Sequence, residues 1–291
     1  MRHHIPGPRP DRQRRRMLLD TARFEILPLP GGAPNLGGLP RGATVTVTAS
    51  PRLGVQATVD LAAALAESGF TAVPHLAARR FTGEDELDAA LRRFHDAGVR
   101  EVFVVGGDTT TPAGPFVDGL SLLKAIDSAG YRFDRIGVPS YPEGHPTIDD
   151  DTLWSALASK QHYATYTVTQ MCFDGRAVTR FIRAARVRGI TLPVVAGMPG
   201  VVAPAKLLRV GLRIGVGDSL RFVRGHQSVA KRLLRPLGYR PDTLMRQLAA
   251  DQQVTGLHFY TFNEIAATLR WLEQQRRSTT REEVASNDHA V

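Results

Sequence analysis

The sequence is poor in the features that mark secreted, membrane-spanning and zinc-binding proteins. It has one cysteine, Cys172, in 291 residues, so it cannot form an internal disulfide or supply several thiolates to a zinc ion. No apolar run approaches the roughly 18 residues of a transmembrane helix, and no signal-peptide core follows the N-terminal arginines. We therefore expect a soluble cytosolic protein without a metal site, in which Cys172 serves packing.

The chain is strongly basic, with a net charge of +9. Part of the excess lies in residues 2–16, where six arginines stand among prolines. Basic proteins often bind nucleic acid, but the sequence lacks zinc-finger spacing and the basic, aromatic strands of RNA-binding modules. The same charge suits a small anionic ligand such as a dinucleotide. We therefore expect a small-molecule partner, and neither a membrane nor a nucleic acid.

Apolar, β-branched runs alternate with helical patterns along most of the chain. The runs lie at 23–27, 43–48, 70–76, 102–105, 135–139, 164–170, 192–196 and 257–261. Helical patterns follow seven of them; the Pro- and Gly-rich segment 28–42 has none, and three patterns, at 203–213, 218–234 and 241–250, precede the eighth run. This predicts a single (β/α)8 TIM barrel over residues 21–276, with the helix after strand one missing and extra helices before strand eight. Residues 1–20 and 277–291 are predicted to be disordered tails.

Polar or small residues stand where most of these strands end. They are Glu25, Thr48, His75, Gly107, Asp108, Tyr141, His145, Gln170 and the segment 198–202. Each has an ordinary structural alternative: Glu25 as an edge charge, His75 as a core histidine, Gln170 as a partner for loop backbone. Because parallel strands end at one rim, and ligands collect there, we expect the residues to converge on a common site.

At these positions the sequence resembles the methylenetetrahydrofolate reductases. Seven motifs occur in the family's order: Phe24-Glu25, Val47-Thr48, Pro74-His75-Leu76, Gly107-Asp108, Tyr141-Pro142-Glu143-Gly144-His145-Pro146, Thr169-Gln170 with Phe173-Asp174, and His258-Phe259-Tyr260-Thr261-Phe262-Asn263. The fifth and the last are the most specific. Together the motifs cover roughly Phe24 to Leu272, which is most of the chain.

The resemblance implies reduction of 5,10-methylenetetrahydrofolate to 5-methyltetrahydrofolate with electrons from NADH or NADPH. The folate ring opens when N10 receives a proton, and Glu25, between Phe24 and Ile26, is the implied acid. Asp108 is implied to hold the pterin and stabilise the cationic iminium, and Gln170 to pair with the pterin amide edge. The implied substrate-binding residues are Gln170, Asp108, Phe173 and Met198.

Usual members of the family also bind FAD. The implied cofactor-binding residues are Thr48, His75, Gly107, Tyr141 and His145. However, the family has an arginine directly before Gly-Asp, a Tyr-Gly-Ala-Gly type of loop after strand two, and a basic or amide-rich face on the helix after strand five. The corresponding residues here are Gly106, then Ala49-Ser50-Pro51, then Ser155, Ala158 and Ser159. Loss of the guanidinium disfavours FAD, because a bidentate arginine is a strong partner for its pyrophosphate.

The sequence therefore favours direct hydride transfer from the nicotinamide to the folate, with the dinucleotide in the flavin pocket. The first alternative is an ordinary FAD-dependent reductase with ping-pong kinetics. The alternative of another class is a folate- or nucleotide-binding protein without turnover, or an RNA-associated basic protein. NADH and NADPH stay open, because no Gly-x-Gly-x-x-Gly fingerprint with its acidic ribose partner is present.

Overall fold

The computed structural model describes residues 10–31, 33–202 and 241–288, and its centre is a closed barrel of eight parallel strands. Each strand pairs with the next, and β8 pairs with β1 to close the ring. The strands are β1 (Arg23–Ile26), β2 (Thr44–Val47), β3 (Thr71–Ala77), β4 (Glu101–Val105), β5 (Arg135–Ser140), β6 (Tyr166–Thr169), β7 (Val194–Pro199) and β8 (Val254–Tyr260). The TIM barrel predicted from the sequence is confirmed.

Helices surround the barrel. Those in the described residues are α1 (Pro10–Asp20), α2 (Gly54–Glu67), α3 (Glu84–Asp96), α4 (Gly119–Ser128), α5 (Asp150–Lys160), α6 (Gly175–Val187), α7 (Asp242–Ala249) and α8 (Ile265–Asp288). The described residues between β1 and β2 contain no helix, as predicted. Of the three helices predicted before strand eight, the third is α7, and the other two lie outside the described residues. No described helix is long and apolar enough to cross a membrane.

The first helix corrects the predicted N-terminal tail. Residues 10–20 form α1 instead of a disordered segment, because Leu18 and Leu19 are fully buried. The Arg14 guanidinium donates to the carbonyl oxygens of Asp251 and Val254, and Val254 is the first residue of β8. The helix therefore packs at the amino end of the strands, opposite the rim where the site was predicted.

The last helix extends past the predicted end of the barrel domain. It continues to Asp288, beyond the predicted end of the barrel domain at residue 276. Arg276 donates to the carbonyl oxygen of Leu19 and pairs with Asp20, so this part of α8 packs against α1.

The interior of the barrel changes from charged to apolar along its axis. Near the amino ends of the strands, Arg23 is paired with Glu101 and donates to the hydroxyl of Tyr166 at 3.1 Å. Above these groups lies a small apolar cluster that includes Val73 and Phe103. These groups fill the described interior near the amino ends of the strands, and the polar residues predicted to form the site lie at the carboxyl ends, here called the mouth.

Candidate active site

Glu25 lies inside the mouth, in contact with a histidine from the last strand. Its Oε2 is 3.2 Å from Nε2 of His258, and the two side chains are only 12% and 3% exposed. The contact arises because β1 and β8 are neighbours in the closed barrel, where Glu25 pairs with Tyr260 across the two strands. Residues at the two ends of the chain thus form one group.

Burial changes the protonation of both partners. It raises the pKa of Glu25 to about 7, against a smaller lowering effect from His75. Burial lowers the pKa of His258 to about 3, with a further lowering from the positive charge of Arg23. At neutral pH His258 is therefore uncharged, while a large share of Glu25 keeps its proton. A carboxylic acid that is protonated near pH 7 is suited to general-acid chemistry.

His75 and Tyr260 complete the wall around this pair. The His75 ring lies 4.7 Å from that of Phe103 and 6.5 Å from that of His258, between centroids. Burial lowers the pKa of His75 to about 4, partly offset by the charge of Glu25. The Tyr260 ring lies 4.8 Å from His258, and its hydroxyl donates to the carbonyl oxygen of Thr169 at 3.0 Å. The acid is therefore enclosed by neutral aromatic groups.

Several buried polar atoms around the mouth have no hydrogen-bond partner among the described residues. They are Thr46 Oγ1, His75 Nε2, Gln170 Nε2 and His258 Nδ1. Thr46 pairs directly with Glu25 across β1 and β2, so its hydroxyl lies beside the acid. Because buried polar groups are nearly always paired in folded proteins, such a group of atoms indicates a polar partner, either ordered water or a ligand.

Gln170 follows β6 and is fixed by its backbone. Its N–H donates to the Ser140 carbonyl at 2.8 Å, and its own carbonyl accepts from Thr169 and Cys172. The Nε2 of its side chain is buried without a hydrogen-bond partner among the described residues. Cys172 itself is fully buried, and burial raises the pKa of its thiol, which agrees with a packing role.

The two other residues predicted to contact the folate, Phe173 and Met198, have different surroundings. Phe173 is buried at the mouth end of α6. Met198, in contrast, is fully buried and pairs with Phe259, which packs on Trp271 of α8. Neighbouring residues of a strand face opposite sides, so Met198 lies in the layer between barrel and helices. The prediction that Met198 contacts the substrate is corrected.

Asp108, Tyr141 and His145 lie on the β4 and β5 side of the mouth. Asp108 is exposed, and Gly107 before it has φ +93°, a conformation that other residues rarely adopt. Burial raises the pKa of Tyr141 to about 12, helped by the negative charge of Asp108, which places that carboxylate near the phenol. The Tyr141 and His145 rings meet edge to face at 5.2 Å.

The residues at this rim fit a flavin pyrophosphate poorly. Gly106 supplies no cation, and Arg79 donates to the carbonyl oxygens of Val117 at 2.8 Å and Thr109 at 3.1 Å. Arg80 donates to the Pro51 carbonyl at 3.2 Å. Both arginines therefore brace loops. The cavity beside His75 and the start of α2 measures about 10 Å³, which is room for about one water molecule.

The helix after β5 also disfavours a phosphate. Asp149 caps α5 by accepting from the N–H of Thr152 at 2.8 Å, and Asp150 and Asp151 occupy the first turn. Three carboxylates at a helix N-terminus occupy the favourable positions for negative charge and repel an incoming anion. On the β2 side, the Thr48 N–H donates to the Ile26 carbonyl at 3.0 Å, and the Thr48 carbonyl accepts from the Thr58 hydroxyl at 3.0 Å.

Three residues of the site were not singled out by sequence reasoning. His258 and Tyr260 belong to a motif that was noted without a role, and Thr46 is one residue inside a strand end. His258 and Tyr260 are two residues apart on β8, and this spacing was a usable signal, because residues two apart share one face of a strand. Within the described residues, no group of three or more His, Cys, Asp or Glu could hold a metal ion.

The family profile and the curated relatives that match this chain belong to the same family. The sequence profile of the family named methylenetetrahydrofolate reductase matches residues 36–276. Methylenetetrahydrofolate reductase 1 of Schizosaccharomyces pombe is 27% identical over 187 residues, covering 61% of this chain and 31% of that protein. Methylenetetrahydrofolate reductase 2 of Saccharomyces cerevisiae is 26% identical, covering 70% and 36%. Methylenetetrahydrofolate reductase (NADH) 1 of Arabidopsis thaliana is 24% identical, covering 62% and 34%. The chain spans about a third of the length of these curated relatives.

Proposed function

Since the chain belongs to the methylenetetrahydrofolate reductase family, we propose that it reduces 5,10-methylenetetrahydrofolate to 5-methyltetrahydrofolate with NADH or NADPH. The observation that carries this proposal is the buried acid in the mouth, Glu25, whose pKa is raised to about 7 by burial. Ring opening of the folate needs a proton donor at neutral pH, and an ordinary exposed glutamate would be ionised there.

In the first step, the carboxylic acid of Glu25 gives its proton to N10 of the folate. The bond between N10 and the methylene carbon breaks, and the electron pair of that bond stays on N10. The lone pair of N5 then forms a double bond to the methylene carbon, which leaves a cationic iminium. Glu25 becomes a carboxylate in this step, so its negative charge also stabilises the iminium nearby.

In the second step, a hydride from C4 of the reduced nicotinamide adds to the methylene carbon. The product is the N5-methyl group, and the nicotinamide is oxidised. Gln170 and Asp108 bind the pterin in this proposal, and the unpaired atoms of Thr46 and Gln170 supply hydrogen bonds to it. Glu25 regains a proton from solvent before the next turnover.

We further propose that the hydride passes directly between the two substrates, without flavin. Three features that disfavour a flavin pyrophosphate support this proposal. Gly106 supplies no cation, Arg79 and Arg80 bind loop carbonyls, and α5 begins with carboxylates. Direct transfer requires nicotinamide and methylene carbon roughly 3 to 3.5 Å apart, so both substrates occupy the mouth together. His75, Tyr141 and His145 then line the part of the dinucleotide site that takes the nicotinamide ring, and the pyrophosphate lies away from the acidic start of α5.

The second candidate is an FAD-dependent reductase, favoured by the same three residues of the family's flavin pocket. The test is to vary NADH and methylenetetrahydrofolate together, with protein freed of flavin, and to identify 5-methyltetrahydrofolate as the product. Intersecting double-reciprocal lines support direct transfer. Parallel lines, or a need for added FAD, support the flavin route. Folate binding without NADH or NADPH oxidation would instead indicate a non-catalytic binding protein.

A further inference from the structure

The end of β8 and the turn after it form a segment, His258–Asn263, that we call the closing segment. All four of its polar side chains bind β1, the residue directly after β1, or the last residue of β6. His258 contacts the Glu25 carboxyl group, Thr261 donates to the Glu25 carbonyl, and Tyr260 donates to the Thr169 carbonyl. The segment therefore contacts both the side chain and the backbone of Glu25.

Asn263 makes the most complete of these contacts. Its Oδ1 accepts from the N–H of Leu27 at 2.8 Å, and its Nδ2 donates to the Leu27 carbonyl at 3.1 Å. The amide thus pairs with both backbone groups of one residue, as a neighbouring strand would. Leu27 follows directly after β1, which has only four residues. Asn263 therefore fixes the backbone one residue beyond the end of β1.

The backbone of the closing segment is strained where it makes these contacts. Phe262 has φ 49° and Asn263 has φ 64°, and they are the non-glycine residues with positive φ in the described part of the chain. Asparagine tolerates this conformation, but phenylalanine adopts it rarely. Strain of this kind persists where surrounding contacts hold it, and it is concentrated at functional sites. Here the contacts that hold it are those to Leu27 and Glu25.

We propose that the closing segment positions Glu25 for proton transfer, with His258 orienting the carboxyl group and Thr261 and Asn263 fixing its strand. This inference rests on the proposed role of Glu25 as the acid. His258 is a positioning residue, because it acts through Glu25 and not on the folate. Its Nδ1 has no hydrogen-bond partner among the described residues, and its Nε2 contacts the Glu25 carboxyl group, so within that part of the chain the ring's polar contact is with the acid.

The test compares His258→Phe with His258→Gln. Phenylalanine keeps the ring and removes the hydrogen bond, while the glutamine amide can replace Nε2. We expect His258→Phe to lower kcat on the order of 100-fold, the scale of a small misplacement, with little change in KM for the folate. We expect His258→Gln to recover at least part of this loss. His95→Gln, at an exposed position of α3, is the matched control and should leave kcat unchanged.

A double variant separates positioning from a general structural role. If His258 acts through Glu25, then adding His258→Phe to Glu25→Gln should cause almost no further loss of kcat, since the acid is already absent. Losses that multiply in the double variant would overturn the proposal. If Glu25→Gln alone turns over like the wild type, the proposed function of Glu25 fails, and this outcome is distinct from multiplied losses.

The pH profile provides a second readout. The titratable groups that act electrostatically on Glu25 or His258 are His75, Tyr260 and Arg23, and all three are kept in these variants. Loss of the His258 hydrogen bond should destabilise ionised Glu25 more than its neutral form, because charge-assisted bonds are stronger. The alkaline fall of kcat should therefore move to higher pH in His258→Phe; an unchanged midpoint contradicts the proposal.

Asn263→Ala provides an independent variant should His258→Phe fail to fold. It leaves every side chain around Glu25 in place and removes the two bonds to Leu27, and it adds some backbone strain because alanine tolerates a φ of 64° less well than asparagine. We expect a lower kcat that is again not additive with Glu25→Gln. A stable Asn263→Ala protein with wild-type kcat would refute the positioning role of the turn.

Discussion

Replacing Glu25 by glutamine should stabilise the fold at alkaline pH while it removes the acid. Burial raises the pKa of Glu25 from its ordinary value of 4.5 to about 7. The folded state therefore favours protonated Glu25. The contribution of this group to the stability of the fold is fully present below pH 4.5 and is lost as the pH rises through 7. A difference of this size corresponds to roughly 3 kcal/mol in the free energy of unfolding, taken as an upper value. Glutamine does not titrate, so at this position it adds no pH dependence to the free energy of unfolding.

The assay is urea unfolding of wild type and Glu25→Gln at a series of pH values from 4 to 9. We expect similar free energies of unfolding near pH 4, and a variant that is more stable by about 2 to 3 kcal/mol above pH 8. Glu273→Gln, an exposed substitution on α8, controls for loss of a glutamate in general. Curves for wild type and Glu25→Gln that stay parallel across this range would refute the raised pKa and the use of Glu25 as an acid at neutral pH.

The remaining predictions concern turnover and binding. Glu25→Gln should lower kcat about 100-fold or more while folate binding is kept, and near wild-type turnover would remove Glu25 from the mechanism. In the wild type, kcat should fall as the pH rises through about 7, because the ionised acid cannot protonate N10; a flat profile up to pH 9 would contradict this. Gln170→Ala should weaken folate affinity about 10-fold, measured by calorimetry, because the pterin edge loses its partner. Unchanged affinity would show that the amide binds something else.

The barrel could be predicted because its strands are buried on both faces. Runs such as Val102 to Val105 are apolar throughout, which is typical of parallel strands covered by helices. Because these strands are apolar on both faces, the sequence does not show which of their residues face the interior of the barrel. Along β7 every residue is apolar or small, and an irregular register between Val194 and Val195 shifts the alternation. Met198 was therefore assigned to the site although it faces the helices.

The first helix shows a second limit of sequence patterns. Six arginines among prolines indicate a disordered tail, and α1 contains four of them. What orders the helix is tertiary: Leu18 and Leu19 pack under the barrel, and Arg14 caps backbone groups near the start of β8. Such contacts join positions more than 200 residues apart in sequence, so no local pattern reports them.

The pairing of Glu25 with His258 was hidden for a related reason. Both residues stand in recognisable motifs, but their contact depends on closure between the first strand and the last. The sequence predicts that a barrel closes, but it does not give the register that sets Glu25 beside Tyr260. The position of a residue at a single strand end, such as Gln170 or Asp108, is easier to predict, because it depends only on its own strand reaching the mouth.

Direct hydride transfer is tested most directly with NADH that carries deuterium at the transferred position of C4, in ordinary water. If the two substrates meet in the mouth, the methyl group of the product should contain one deuterium per molecule from one of the two C4 epimers. In the reciprocal experiment, unlabelled NADH in heavy water should give a methyl group without deuterium. A flavin intermediate would pass the label through N5, whose hydrogen exchanges with water. Loss of the label from both epimers, with solvent deuterium in the methyl group, would contradict the account.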